Sequence, residues 1–268
     1  MQCKNDMEIV LFGAGNVATH LGKALKEAGH EILQVWSRTK ESAEALASSL
    51  GCDANTFGNP ISLTTSHQGP IICIISVKDD AIAELAAQYI PQLPNAIWTH
   101  TAGSVSIEVL NIGVNPLYGV LYPMQTFSKN KAVDFRAISI FVEANGCEKE
   151  LTDLANSLTE TVYPLDGEGR RRLHLAAVFA CNFVNHCYAI SERILSDAGL
   201  PFEVMLPLIE ETADKVHHLS PRLAQTGPAS RHDQQILDRQ RAMLEDDPLT
   251  QDIYDKLSES IIHLGKLR

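Results

Sequence analysis

The sequence predicts an α/β chain with an all-α continuation. A doubly wound, mostly parallel sheet occupies residues 1–166 and a helical domain residues 167–268. Three observations lead there. Residues 9–12 are an unbroken apolar run, as a strand covered by helices on both faces requires. From there to Asp166, strand-like and helix-like stretches alternate, the rhythm of βα units. Beyond Asp166 no strand pattern recurs and the apolar positions follow helical spacing.

The opening run ends at Gly13-Ala14-Gly15-Asn16-Val17-Ala18, and a helix-like stretch follows over 19–28. Strand, G-x-G-x-x-A, helix is the order of the dinucleotide-binding (Rossmann) fingerprint. Gly13 permits the tight turn, Gly15 lets a diphosphate approach the backbone, and Ala18 lets the helix pack close to the strand. The backbone from Gly13 through Ala14, Gly15, Asn16 and Val17 then offers N–H groups at the positive end of a helix dipole.

Residues 31–36 read as the second strand, with Gly29 ending the helix before it. An NAD site places a carboxylate at this strand's end for the ribose 2′-OH. This chain has Ser37-Arg38-Thr39-Lys40 instead. A hydroxyl and two cations suit a 2′-phosphate, and Arg38 has the planar fork to hold one. NADP is therefore predicted over NAD. A helix over 41–50, closed by Gly51, leads to a short strand over 53–57 and a buried strand over 70–76. Asp79 or Asp80 is positioned to cap the helix running to Tyr89. Ser76, Val77 and Lys78 lie at a strand's carboxyl end, where open α/β sheets bind ligands. The strand at 95–100 ends in His100, and Thr101-Ala102-Gly103-Ser104 is aimed at the same crevice. Residues 119–127 follow, then a β-branched strand over 137–142, a helix over 147–161 and a last strand over 162–165.

Past Asp166, a helix over 170–198 is followed by helices over 201–219, 232–245 and from Pro248 to about Leu264, with a loop over 220–231. On the long helix, His174, Cys181, Asn185 and Glu192 fall within about 20° of one line, with Asn182 on the flank. Polar groups among apolar neighbours need partners. This line reads as the floor of a cleft facing the nicotinamide, with His174 as proton donor.

A net charge of −11 argues against a nucleic-acid surface. Cys3, Cys52, Cys73, Cys147, Cys181 and Cys187 are scattered without a C-x-x-C pair, which gives no zinc spacing, no metal site and reduced thiols. No signal segment and no apolar run near membrane-spanning length is visible, so a cytoplasmic protein is expected.

Four segments carry a resemblance: Thr99-His-Thr-Ala-Gly-Ser104, Leu121-Tyr-Pro-Met-Gln-Thr-Phe127, His174-Leu-Ala-Ala-Val-Phe-Ala-Cys-Asn182 and Thr226-Gly-Pro-Ala-Ser-Arg-His-Asp233. With them the chain resembles a family of Rossmann-like NADP oxidoreductases whose C-terminal domain has no assigned function. That family sits in the superfamily of 6-phosphogluconate dehydrogenase, pyrroline-5-carboxylate reductase and ketopantoate reductase. The resemblance implies hydride transfer between NADP(H) and a small carbonyl or imine substrate, and a homodimer formed through the helical domain. In this enzyme reading His174 and Asn182 polarise or protonate substrate. His100, Tyr122 and Gln125 join from the sheet edge, and Thr226, Ser230 and Arg231 from the loop, Arg231 holding a carboxylate or phosphate. The chain departs from the family pattern at Tyr122, where a histidine is usual, and at His232, where a glycine is usual; it also lacks the Lys-x-x-x-Asn pair of the wider superfamily. A non-catalytic NADP-binding sensor is an alternative the fold allows, and the resemblance adds another, a deazaflavin-dependent oxidoreductase, since some members of the superfamily use that cofactor.

Overall fold

A computed structural model describes residues 6–65 and 69–266, so Cys3 lies outside the described residues. The chain divides into two compact units, Met1–Cys181 and Asn182–Arg268.

The first unit is built on an eight-stranded sheet. In chain order its elements are β1 (Glu8–Phe12), α1 (Asn16–Glu27), β2 (Glu31–Ser37), α2 (Lys40–Leu50), β3 (Asp53–Thr56), β4 (Ile72–Ile75), α3 (Ile82–Tyr89), β5 (Ile97–His100), β6 (Tyr118–Pro123), β7 (Ile140–Asn145), α4 (Glu148–Asn156), β8 (Val162–Pro164) and α5 (Gly167–Ala177). The strand order is β3-β2-β1-β4-β5-β6-β7-β8. All neighbours are parallel except β6 and β7, which pair antiparallel with Val120 opposite Glu143 and Tyr122 opposite Phe141.

The apolar run of β1 is explained by where its side chains go. Ile9 and Leu11 join the core shared with α1, α2 and α4, while Val10 and Phe12 join the core shared with α3. All four are wholly buried, each contributing about 1.5–3 kcal/mol on full burial. Phe12 lies 5.1–5.8 Å, ring to ring, from Trp36, Tyr89 and Trp98.

Several sequence boundaries move. Helix α1 begins at Asn16 rather than 19, and α4 ends at Asn156 rather than 161. Neither Asp79 nor Asp80 caps the helix to Tyr89: both lie in a 3₁₀ turn, Asp79–Ala81, and the α-helix starts at Ile82. The Asp79 carboxylate instead accepts from the Ser104 hydroxyl.

Strands end near Asp166, the sequence boundary, but the first compact unit reaches Cys181. The reason is α5. Asp166 caps it by accepting from Gly169 N at 2.7 Å, and its Arg170 is buried against β7. The expected helix over 170–198 starts at Gly167, and six residues, Val178–Phe183, wind as π-helix before α6 (Val184–Asp197). The 100° per residue that placed His174, Cys181, Asn185 and Glu192 on one line does not hold through a π turn. The stretch Gly167–Asp197 is 31 residues, long and apolar enough by composition to cross a membrane, and its apolar window is not buried. That corrects the expectation that no stretch reaches that length.

The second unit continues with α7 (Leu206–His218), α8 (Pro221–Ala224), α9 (Gln234–Ala242) and α10 (Pro248–Lys266). The short α8 sits in what read as a loop, and Asp233 caps α9 through Ile236 N. Within it Arg193 pairs with Asp247 and donates to Thr250 Oγ1 at 2.6 Å. His232 has φ 55°, left-handed backbone that favours glycine, which accounts for the glycine usual there in the resembled family.

Candidate dinucleotide crevice and the tyrosine–histidine pair

The carboxyl ends of β1, β2, β4, β5 and β6 bring most of the singled-out residues to one edge of the sheet. At β1, Gly13 has φ 134°, and a Cβ there would stand 2.0 Å from the Ser76 carbonyl. Only glycine fits that approach of two strand ends. Gly13 N donates to Trp36 O and Ser76 N to Phe12 O, each at 2.7 Å, tying three strands together at the turn. Ala14 is buried beside them, and Ala18 is wholly buried against the core.

Gly15 is the N-cap of α1 and is exposed; no side chain caps the helix and its first turn holds no acid. Nothing lies within 4 Å of where a Gly15 Cβ would be. The first N–H groups of an α-helix have no intrahelical partner, and those of Asn16 and Val17, beside open space, fit a diphosphate. Asn16 Nδ2 donates to Phe127 O at 2.8 Å, and the His20 ring lies 2.8 Å from Ser128 O, so the irregular segment that follows β6 is tied down onto α1. Gln125 accepts from Thr126 N at 2.8 Å.

At the end of β2, Ser37 is buried and its carbonyl accepts from Phe57 N, while Arg38 is exposed. Thr39 caps α2 through Ser42 N. Ser76 and Thr101, both buried, share a hydroxyl–hydroxyl bond of 3.1 Å across β4 and β5; Val77 packs on the α3 core and Lys78 is exposed.

His100 is wholly buried and both its ring nitrogens face the loop that follows: Ala102 N donates to Nδ1 at 3.2 Å, and Nε2 lies 3.4 Å from Ser106 O. Burial, then the charge of Arg170, holds its pKa down at about 4. The imidazole is neutral at pH 7.

The phenol oxygen of Tyr122 lies 3.2 Å from Nδ1 of His174, both half-buried, with Gly103 beneath them. A Cβ on Gly103 would come within 2.8 Å of both His174 Nδ1 and the Tyr122 ring. The glycine is what lets the loop approach. Burial pushes the Tyr122 phenol up, the Arg170 charge pulls it back, and Asp79 adds to the rise.

Sequence reasoning passed over Arg170 and Glu143, and named Gly103 only as part of the loop aimed at the crevice. Arg170 opens a run of three arginines, which reads as a solvated face, yet it is buried and bonds to Glu143 and to Val105 O. Its position four residues before His174 was the available signal. Asn182 and Arg231 belong to the second unit. Asn182 is an exposed residue of the π turn; Arg231 is exposed in a turn closed by its own N–H to Pro228 O, where Ser230 Oγ donates to Gly227 O at 2.9 Å.

A mostly parallel sheet, a glycine turn and an uncapped helix facing open space define the class of Rossmann-type dinucleotide-binding folds. Residues 8–98 match the family described as NADP oxidoreductase, coenzyme F420-dependent, and residues 138–261 match a domain of unknown function, DUF2520. A solved structure from Bacteroides fragilis, described as a "putative NADP oxidoreductase", is 45% identical over 97% of this chain and 99% of its own, with a TM-score of 0.86. The chain belongs to that family of NADP oxidoreductases. The fold is also that of an Aspergillus terreus reductive aminase solved with NADPH (16% identity, 98% and 93% of the chains, TM-score 0.61). A Streptomyces aurantiacus imine reductase shares it too (12%, 96% of each chain, TM-score 0.63). No curated protein sequence matches the chain.

Proposed function

We propose that the chain transfers a hydride between NADP(H) and a small carbonyl or imine compound, with the Tyr122–His174 pair handling the proton. The observation that carries this is the 3.2 Å contact of phenol and imidazole over Gly103, at the carboxyl end of the sheet that also carries the glycine turn. The Gly13, Ala14, Gly15, Asn16 and Val17 backbone would hold the diphosphate, Ser37, Arg38 and Thr39 the 2′-phosphate, and Ser76, Val77, Lys78, Thr101 and Ala102 the crevice wall. A bound nicotinamide supplies the hydride. Tyr122 and His174 then supply or accept the proton at the substrate's oxygen or nitrogen. In this reading His100, with both nitrogens turned to its own loop, braces residues 102–106 rather than exchanging protons. Arg231 and Asn182, the other candidates of the sequence analysis, would contact substrate from the helical unit. We also propose that the helical unit pairs with a second copy of the chain.

A fluorescence titration with NADPH and NADH, wild type against Arg38→Ala, tests the nucleotide. NADPH binding several-fold tighter, with the preference lost in Arg38→Ala, supports the assignment; equal affinities refute it. The family description naming coenzyme F420 favours a second reading, a deazaflavin ligand. Binding of that deazaflavin, with no NADPH binding, would select it. A screen of keto acids and imines with NADPH oxidation as readout tests the reaction. Turnover lost in His174→Ala at unchanged NADPH affinity supports the proton role, and retained turnover removes it.

A further inference from the structure

Arg170 is the one guanidinium buried in the sheet unit among the described residues, with 1% of its surface exposed. A buried cation needs partners on several sides. Its Nη1 bonds to Glu143 Oε2, and Nη2 donates to Val105 O at 2.6 Å. The other oxygen of Glu143 accepts from Gly167 N at 3.0 Å, so one carboxylate holds both the first helical residue of α5 and the arginine a turn later. Nε is buried without a partner.

These contacts link every part of the tyrosine–histidine pair. His174 follows Arg170 by four residues on α5, on the same face. Glu143 stands opposite Val120, two residues along β6 from Tyr122 and on the same face of the sheet. Val105 lies two residues past Gly103, the glycine on which the Tyr122 and His174 rings close. Histidine, tyrosine and loop are thus each one short step from a single side chain.

We propose that Arg170 is a positioning residue: by bonding Glu143 and the Val105 carbonyl at once, it sets the distance between Tyr122 and His174 and the height of the loop beneath them. This rests on the proton role given to that pair. The buried charge acts on the same groups, since it counters the effect of burial on the Tyr122 phenol and adds to it at His100.

The test reads the pair directly. In the ¹⁵N-labelled full chain, the His174 ring nitrogens, assigned by their loss in His174→Ala, are compared in wild type, Tyr122→Phe, Arg170→Lys and Arg170→Met. The expected result is that Tyr122→Phe moves the Nδ1 resonance, that Arg170→Met moves it in the same direction, and that Arg170→Lys, which keeps the charge but cannot bond Glu143 and the Val105 carbonyl at once, falls between. NADPH affinity stays within about twofold throughout, because Arg170 bonds to no atom of the glycine turn, and a once-identified substrate loses about ten- to a hundredfold in kcat with KM nearly unchanged. Should Arg170→Met fail to fold, Arg170→Lys and Glu143→Gln carry the same comparison. Wild-type His174 resonances in folded Arg170 variants overturn the proposal, as does movement in those variants that Tyr122→Phe does not share. Absence of turnover on every carbonyl and imine tried refutes the proposed reaction and leaves this spectroscopic comparison intact.

Discussion

Replacing Gly15 by alanine separates what the glycine turn does for folding from what it does for a ligand. Gly15 has φ −79° and ψ −169°, a conformation open to alanine, and its added methyl would meet nothing within 4 Å. Reduced freedom of the unfolded chain favours the variant by about 0.4–1 kcal/mol. Alanine at an N-cap, a poorer choice than glycine, costs about 0.5–1 kcal/mol. The two offset, so unfolding should stay within about 1 kcal/mol of wild type, or about 2–4 °C in Tm for a domain of this size. Binding behaves otherwise, because the methyl occupies the space through which a diphosphate reaches the α1 amides. Losing one charge-assisted hydrogen bond, about 1.5–3 kcal/mol, weakens NADPH binding roughly ten- to a hundredfold. Calorimetric unfolding and a fluorescence titration on the same samples read both quantities. Unchanged affinity in a normally folded Gly15→Ala protein would refute a diphosphate at this turn.

Three further outcomes follow from the structure. Because His100 is held at a pKa of about 4 while in the unfolded chain it titrates at the ordinary histidine value of 6.5, the unfolded state takes up the proton first as pH falls. Stability present above pH 6.5 is lost between 6.5 and 4, by up to about 3 kcal/mol at about 1.4 kcal/mol per pH unit. Urea unfolding in that window should flatten in His100→Asn, and an unchanged slope would contradict the burial argument. Gly103→Ala should break the Tyr122–His174 contact, moving the His174 ring resonances and costing about 1–3 kcal/mol of stability from overpacking, with NADPH affinity retained. At His232, with φ 55°, thermal unfolding should rank glycine at or above histidine and valine at least about 1 kcal/mol below, because a β-branched side chain tolerates left-handed backbone worst.

How much of this was legible in the sequence varies with the range of the interaction. The glycine turn, the all-apolar β1 and the strand rhythm depend on neighbours in the chain, and each appears where its residues place it. The Asp79 and Asp80 caps fail because both residues lie within a 3₁₀ turn ahead of the α-helix, and the Asp79 carboxylate accepts from Ser104, 25 residues away. The Tyr122–His174 contact spans 52 residues, and Arg170 reaches 65 residues back to Val105. Nothing in a local pattern distinguishes Arg170 from Arg171 and Arg172, yet one is buried and the others are exposed. The π turn is illegible for a different reason: Val178-Phe-Ala-Cys-Asn-Phe183 contains no glycine or proline, and a helix that widens there keeps the same apolar pattern as one that does not.

The helical unit raises the question of what covers it. Among its described residues the buried apolar side chains are Leu195, Ala229 and Leu237, while Leu208, Leu223, Met243 and Leu249 are more than 60% exposed. A unit of this size cannot offset its chain entropy with so small a core, so its apolar faces must be removed from water. A lipid bilayer would accept the length of Gly167–Asp197, but that stretch carries Arg170, Arg171 and Arg172 at one end and His174, Asn182, Asn185 and His186 further in, polar groups that hydrocarbon penalises. A second copy of the same unit offers a matching apolar face and leaves those polar groups to hydrogen bonds or water, which favours pairing. Light scattering on the wild-type chain should therefore give twice the mass of one chain, and Leu208→Asp should shift it toward one chain with a lower thermal transition. A one-chain mass at high micromolar concentration refutes the pairing, and co-flotation with phosphatidylcholine vesicles would assign the same faces to lipid.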